Sequence, residues 1–477
     1  MSEEYDVIVV GGGPGGEVAA GRCSEGGLET ALVEAELVGG ECSYWACMPS
    51  KTLLRPGEVL SETRRVPGAR EAVTSGLDAA AALRRRDEIT DGWDDSRQAR
   101  WLDDFHISLW RGRARIASER TVEVLVREGR SQQLVARVAV IIATGSTPAV
   151  PPIPGLREAH PWLSRDATSA KAIPRRMLVM GGGAVGLEMS QAFHDLGATE
   201  VTVVEAAERV LPSEEPFASA EVASALREEG IDVRTNRKVV GVRRQAAGQP
   251  VEVQLDDGRE LAADELLVAV GRRPATADLG LERVGLTPGR PITVDDHLRA
   301  TGVPGGWLYA VGDVNGRALL THMAKYQGRV AADHILGRRG EDPAAWAGHR
   351  AVPRVVFTNP QVAAVGLTEK GAVEQGLTVR SVSVPLSDVA ASVTRGQSDT
   401  GTGKLVVDAA RQVAVGATFT GQGVGDLLHA ATIAIVGEVP LSRLEHAVPA
   451  FPTINEVWLH LLEEFRKQTA KRQGEAP

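Results

Sequence analysis

Cysteine is scarce in this chain: three among 477 residues, Cys23, Cys42 and Cys47, too few for the disulfide framework of a small secreted fold. Positive charge is not in surplus either. The 53 Lys and Arg against 62 Asp and Glu leave a formal charge of −9, which argues against nucleic acid or an anionic membrane as partner. No apolar run approaches the roughly 18 residues of a membrane span. The opening MSEEYDVIVVGGG carries no basic n-region, so the expectation is a protein without a membrane span in the reducing cytoplasm. A Gly-X-Y period is also missing, although glycine is the residue in excess: 52 of 477, above the roughly 7% of an average chain. The remainder is ordinary for globular proteins, 43% hydrophobic and 24% charged, with a length that suggests about three domains of roughly 150 residues.

The glycines follow short apolar strands. Asp6–Val10 is a β-branched run without polar alternation, the pattern of a buried parallel strand. It leads into Gly11-Gly12-Gly13-Pro14-Gly15-Gly16 and an Ala-rich helical stretch, and a second strand, Thr30–Val33, ends at Glu34. The same parts recur: Met177–Met180, then Gly181 to Gly186, a helix from Leu187, and a strand Glu200–Val204 ending at Glu205. In a G-x-G-x-x-G turn the first glycine makes the bend, the second admits a pyrophosphate and the third lets helix pack on strand. The helix N-terminus then offers N–H groups to the phosphates. Both copies sit between strand and helix and carry an acid about 20 residues on, the context that separates a dinucleotide site from an incidental tight turn. Glu34 and Glu205 are therefore expected on the ribose hydroxyls of two dinucleotides. An acid at the second site repels a 2′-phosphate, so the mobile nucleotide is expected to be NADH rather than NADPH. Arg209 reads as a solvated helix-face residue. Pro148–Pro154 reads as a linker or domain crossing after the strand Val138–Ala143, and Glu265–Val270 as a further strand. Beyond about residue 346 strands and helices mix, with amphipathic stretches at Gly425–Val436 and Ile454–Lys467 and a frayed tail from Arg472 to Pro477.

Between the two units stands Gly39-Gly40-Glu41-Cys42-Ser43-Tyr44-Trp45-Ala46-Cys47-Met48-Pro49-Ser50-Lys51. On an ideal helix, cysteines five apart have Cα atoms about 8–9 Å from one another, beyond the roughly 7 Å limit of a disulfide. A bond between them needs a distorted turn, which the preceding glycines permit. Zinc is a poor alternative, since no second Cys/His pair completes four ligands. Two independent buried thiols are the plain reading. Lys51, four residues after Cys47, points instead to a cation that favours a thiolate.

That segment closely resembles the redox-active disulfide of the class I FAD-dependent pyridine nucleotide–disulfide oxidoreductases, among them dihydrolipoyl dehydrogenase, glutathione reductase and mercuric reductase. The resemblance extends through Ala143-Thr144-Gly145-Ser146, Gly181 to Glu188, Val268 to Pro274, Tyr309-Ala310-Val311-Gly312-Asp313 and VPRVVFTNPQVAAVGLTE from Val352. It implies an α/β fold of two Rossmann-like dinucleotide-binding domains and a C-terminal α+β dimerisation domain. The expected boundaries are 1–150 with 273–346 for FAD, 151–272 for NAD and 347–477 for the interface. It implies FAD held through Gly11, Gly13, Pro14, Gly16, Glu34, Gly40, Lys51, Thr144, Gly145, Gly312 and Asp313, with Gly112 and Ala114 against the adenine. It implies the nicotinamide nucleotide on Gly181, Gly183, Gly186, Glu205 and Gly271. Cys47 would lie against the flavin, Cys42 would face the electron acceptor, and Lys51 would pair with Glu188 near the flavin. Cys23 is expected to pack in the core.

The chain also departs from the family. Dithiol-handling members end in His-Pro-Thr-x-x-Glu, contributed by the other subunit of a homodimer. Here the segment reads Phe451-Pro452-Thr453-Ile454-Asn455-Glu456. Glu456 is retained but the base is lost, and a positioned base is typically worth 10²–10⁴-fold in thiol exchange. His446 reads as a surface or interface residue. No cysteine follows Cys47, unlike mercuric reductase. Tyr44 and Trp45 replace small residues inside the Cys-x₄-Cys loop; core packing is expected for Trp45, and an aromatic wall for a planar acceptor is the alternative. The expected function is an NADH-dependent flavoprotein passing electrons to a small acceptor such as a quinone. Dihydrolipoyl dehydrogenase is the second reading, and a non-catalytic sensor of NADH or thiol state the third.

Overall fold

In the computed structural model, residues 3–126, 129–246, 248–338, 345–396 and 400–473 are described. Of the tail expected to fray, residues 474–477 lie outside them. The chain separates into two compact units: Met1–Pro49, Arg85–Ala149 and Gly271–His349 form one, and Ser50–Arg84, Val150–Val270 and Arg350–Pro477 the other.

The first unit is built on strand Glu3–Val10, whose inner half is fully buried. It pairs in parallel with Thr30–Glu34 on one side and Ser131–Ile142 on the other; Ser108–Ser118 and Leu308–Ala310 extend the parallel sheet outward. Ser108–Ser118 also continues into an antiparallel ribbon with Thr121–Val126. A continuous β-branched run becomes a central strand because both faces are covered. Helix Pro14–Glu25 packs on helix Thr321–Ile335 at backbone contact, since a Cβ on Gly328 would lie 2.6 Å from the Gly15 carbonyl. Arg22 and Asp333 clamp the same two helices through bonds of 2.6 and 2.8 Å. Cys23 is buried in this core, and burial pushes its thiol pKa to about 12. It behaves as the small hydrophobe expected.

The second unit carries a four-stranded parallel sheet in the order Glu265–Val268, Arg176–Met180, Glu200–Val204, Asp232–Arg234. Helix Ala184–Asp195 follows its glycine turn, starting three residues before the expected Leu187 because the turn's own residues already adopt helical geometry. A five-stranded antiparallel sheet, Pro353–Val356 through Val379–Pro385, forms the C-terminal α+β part with helices Val424–Val436 and Val457–Gln473. Ion pairs tie this part to the nucleotide fold: Arg354 to Glu214 at 2.6 Å and Lys404 to Glu215 at 2.9 Å. The chain crosses between the units within the proline-rich 148–154 stretch, as expected of a domain crossing. Ser146–Pro148 forms a short antiparallel pair with Arg272–Pro274, and the unit boundary falls at Ala149 and Val150.

Candidate active site

In the first unit the glycine turn is shaped by contact. Gly11 has φ +106°, a region that side chains avoid. A Cβ there would lie 2.4 Å from the Ala143 carbonyl oxygen, and one on Gly16 would lie 1.9 Å from that of Gly11. Gly13 is open instead: its Cβ would meet nothing within 4 Å. It caps helix Pro14–Glu25 without a side-chain hydrogen bond, and Pro14 fits the first helical position, where no N–H is needed. The open face and free N–H groups form a cradle suited to a pyrophosphate. Glu34 accepts from the Gly12 N–H at 2.6 Å and the Glu36 N–H at 2.7 Å; burial raises its pKa.

Gly40 approaches the same turn, its Cβ position 2.8 Å from the Gly13 Cα, so the short helix Gly40–Tyr44 starts against the cradle. Cys42 lies in that helix. Trp45 breaks it at φ −136° and ψ −4°, and Cys47 opens helix Cys47–Arg65. This break is the distorted turn that five-residue spacing demands. Both cysteines are thiols here, and they hydrogen-bond one another. Cys47 Sγ lies 3.2 Å from Thr321 Oγ1, at the start of helix Thr321–Ile335, whose positive end favours a thiolate. The bond to Cys47, then burial, push the Cys42 pKa up, while Thr321 and the charge of Lys325 pull it down. The core role expected of Trp45 falls to Tyr44, which is 1% exposed; Trp45 is half-buried against it, ring centroids 5.7 Å apart.

Thr144 Oγ1 donates to the Ala275 carbonyl at 2.9 Å, beside Gly145 with φ +71°. Asp313 accepts from the Ser146 hydroxyl at 2.5 Å, and Ser146 in turn accepts from Arg272 Nε at 2.6 Å. Gly312, with φ +78°, donates its N–H to Gln327 at 2.7 Å. Gly112 and Ala114 have structural employment: a Cβ on Gly112 would strike the Leu125 carbonyl at 2.4 Å, and Ala114 is buried in the core. Gly271 groups with this unit, at φ +120° facing open space.

The second unit repeats the turn. A Cβ on Gly181 would lie 2.5 Å from the Ala269 carbonyl oxygen and one on Gly186 2.0 Å from that of Gly181, while Gly183 is open. Glu205 accepts from the Gly182 and Ala207 N–H groups at 2.6 and 2.7 Å. Arg209 is not the solvated helix residue expected. It lies in the loop after Glu205, and its guanidinium donates to the carbonyls of Leu211, Pro212 and Glu214 and to the Ser219 hydroxyl. Lys51 Nζ meets the nearly buried Glu188 at 2.7 Å and lies 4.9 Å from the centre of the Phe357 ring. The Phe357 N–H holds the other Glu188 oxygen at 2.9 Å. Towards the C-terminus, Phe451 is 74% exposed beside exposed Val448, and His446 is exposed. Glu456 Oε2 and Trp458 Nε1 are buried without partners among the described residues.

Thr321, Arg272 and Phe357 escaped the sequence reading. Thr321 offers only the signal of a helix start, and the other two act through contacts far apart in sequence. The first unit presents a glycine cradle with an anchored acid and a thiol pair at a helix N-terminus, and the second a like cradle with its own acid and a buried carboxylate holding a lysine. Comparison with known proteins agrees with this arrangement. Residues 5–328 match the pyridine nucleotide-disulphide oxidoreductase model and residues 352–462 its dimerisation domain. The chain is 35% identical to a dihydrolipoyl dehydrogenase of Thermus scotoductus, over 97% of this chain and 98% of that one. It is 31% identical to a mercuric reductase of Staphylococcus aureus, over 95% and 81%. Among solved structures, the Cu(II) complex of the HOCl-induced flavoprotein disulfide reductase RclA from Escherichia coli superposes with a TM-score of 0.83 at 26% identity, covering 97% of this chain and 99% of that one. Glycine cradles, thiol pair and matched domains together make this chain a member of the pyridine nucleotide-disulphide oxidoreductases, an oxidoreductase family whose members use FAD and a nicotinamide nucleotide.

Proposed function

We propose that this protein is a homodimeric, cytoplasmic, NADH-dependent flavoprotein with a redox-active Cys42–Cys47 pair that passes electrons from NADH through FAD to a small acceptor, foremost a quinone. The observation that carries the choice of acceptor is Phe451, exposed where dithiol-handling relatives place a base. FAD is assigned to the first cradle, through Gly11, Gly13, Gly16 and Glu34 with Asp313 towards its ribityl and phosphate region. Bound there, it would take a hydride from NADH and release two electrons. Every other task belongs to side chains. Glu205 orients the NADH ribose and repels a 2′-phosphate, and Arg209 is spent on loop carbonyls rather than left to neutralise one. Arg234 and Arg237 pair with Asp232 at 2.7 Å and Asp257 at 2.8 Å. Glu188 keeps Lys51 in place as the cation for a reduced flavin. The hydrogen bond between the sulfurs retains the proton on Cys42, leaving Cys47 as the first thiolate.

The dimer is supported by the dimerisation-domain match, the exposed Val448 and Phe451, and the unpartnered Glu456 and Trp458 atoms near them in sequence. A second reading keeps the machinery and changes the acceptor to a cupric ion, favoured by the thiol pair here and by the Cu(II) complex of the similar RclA. Anaerobic titration of the purified holoprotein with NADH tests the electron path. The two-electron-reduced form should show a thiolate-to-flavin charge-transfer band. Cys47→Ser should abolish it, and Cys42→Ser should leave a permanent thiolate beside oxidised flavin. Spectra unchanged in both variants would make the sulfurs structural.

A further inference from the structure

Helix Ala184–Asp195 begins at the second glycine turn and ends in a His-Asp pair, His194 and Asp195. Helix Pro216–Glu228 is capped at its C-terminal end by Glu229. Both helices stop in the same way. Gly197 and Gly230 take φ values of +113° and +98°, and the Ala198 and Ile231 N–H groups reach back to the carbonyls of Phe193 and Leu226, the bonds of a Schellman ending. The two ends meet: one ligand atom each from His194, Asp195 and Glu229 lies within 4.8 Å of the other two, and all three residues are partly buried.

An imidazole among the carboxylates sets this cluster apart from an acidic surface patch, and the surrounding elements hold each ligand. His194 Nδ1 lies 3.4 Å from Asp195 Oδ1, the spacing of two ligand atoms on one tetrahedral zinc with bonds of about 2.0–2.1 Å. The His194 ring also bonds the Glu229 backbone, the kind of contact that orients a ligating imidazole. Gln191, one turn before Asp195, donates to Glu229 Oε2 at 2.7 Å and accepts from the Asn359 N–H at 2.7 Å. Asp195 Oδ2 lies over Gly57, where a Cβ would come within 1.9 Å of it, so glycine makes the room for this carboxylate. Arg65, the neighbouring cation, is engaged by Ser61 and Asn359 at 3.1 and 3.2 Å. Both helices bring the negative ends of their dipoles to the cluster, and such ends favour a cation. We propose that His194, Asp195 and Glu229 form a binding site for a divalent metal ion of the zinc type, which ties together the C-terminal ends of these two helices. One nitrogen and two carboxylate oxygens suit such a borderline ion better than magnesium, which prefers an octahedron of oxygens. Coordination moves no electrons, and any proton on the three ligand atoms passes to water. The ion would brace the helix whose other end is the second glycine cradle.

The test is calorimetric titration of chelator-treated, full-length, FAD-loaded protein with zinc chloride, in a Cys42→Ser/Cys47→Ser background so that the thiol pair cannot take the metal. One equivalent per chain should bind, and excess magnesium should not displace it. His194→Gln and Glu229→Gln should each weaken binding by roughly 100-fold or more, and Gln191→Ala, which removes only a brace, by roughly tenfold. Zinc should also raise the thermal midpoint of the parent and leave that of His194→Gln unchanged. Each protein is compared with itself, with and without zinc, so the effect of a substitution on the metal-free fold cancels. Circular dichroism and FAD content show whether each variant is folded, and Asp195→Asn replaces any variant that is not. Absence of binding, displacement by magnesium, or one equivalent held with unchanged affinity by the folded ligand variants overturns the proposal. The assay uses neither NADH nor an acceptor, so its outcome is independent of the electron path proposed above.

Discussion

The two glycine turns are near copies at atomic detail, and their surroundings are not. Gly11 and Gly181 bend the chain at φ +106° and +113°, and Glu34 and Glu205 each hold two backbone N–H groups at 2.6 and 2.7 Å. After Glu34 the chain builds the thiol segment against its own cradle. After Glu205 it builds a loop laced by Arg209. One steric solution, a glycine turn with an anchored acid, thus serves twice, and the residues after the acid decide whether the unit also carries a thiol pair. The unrepeated parts are where this chain's individuality should be sought.

Breaking the copies one at a time gives the largest expected effects. Gly16→Val drives a side chain into the Gly11 carbonyl and should leave protein with less than a tenth of its FAD, given that overpacking of this kind costs about 1–3 kcal/mol before the ligand's own losses. Gly186→Val should retain the flavin absorbance and lose NADH reduction. Equal loss of flavin in both variants would show that the two turns are not independent. Next comes Glu205→Gln: the wild type should favour NADH over NADPH in kcat/KM by roughly 10–10³-fold, and the variant should approach parity, because the repulsion of a 2′-phosphate is removed. A wild-type preference for NADPH would mean that Arg234 or Arg237 leaves its aspartate. Phe451→His should raise lipoamide turnover by about tenfold or more, with quinone turnover unchanged.

The smallest effect concerns stability. Among the described residues, each unit has one carboxyl group raised to about 7 chiefly by burial, Glu17 in the first and Glu229 in the second. Glu229 lies beside His194 and Asp195. Its folded pKa exceeds its unfolded one, so its stabilisation is complete below about pH 4.5 and lost as pH rises through 7. Glu229→Gln should therefore raise stability at pH 8 by about 1–2 kcal/mol and change little at pH 5, read by urea denaturation at both values. An equal effect at both pH values would contradict the assignment.

Much of this was legible beforehand because its causes are local. A β-branched run, a glycine turn and an acid at fixed spacing each state a steric requirement within about 30 residues, and the structure realises both copies. The break between Cys42 and Cys47 is the distorted turn that the spacing required if the two were to be bonded. What escaped depends on distant contacts. Arg209 is drawn off the surface by carbonyls that the loop presents only once folded. Tyr44 rather than Trp45 takes the core position because Trp93 donates to its carbonyl at 3.1 Å and fixes that side inward. Thr321 and Phe357 come to the thiols and to Glu188 through chain separations of 274 and 169 residues.

The most direct test of the central claim, that electrons pass from NADH through FAD to an acceptor that needs no base, is a side-by-side steady-state assay. Purified wild-type holoprotein would be given NADH with a soluble quinone and, separately, with lipoamide. The account predicts quinone turnover at least tenfold above lipoamide turnover, within the range that a missing base spans. Comparable rates with the two acceptors would contradict it, and His446 would become the first candidate base to replace.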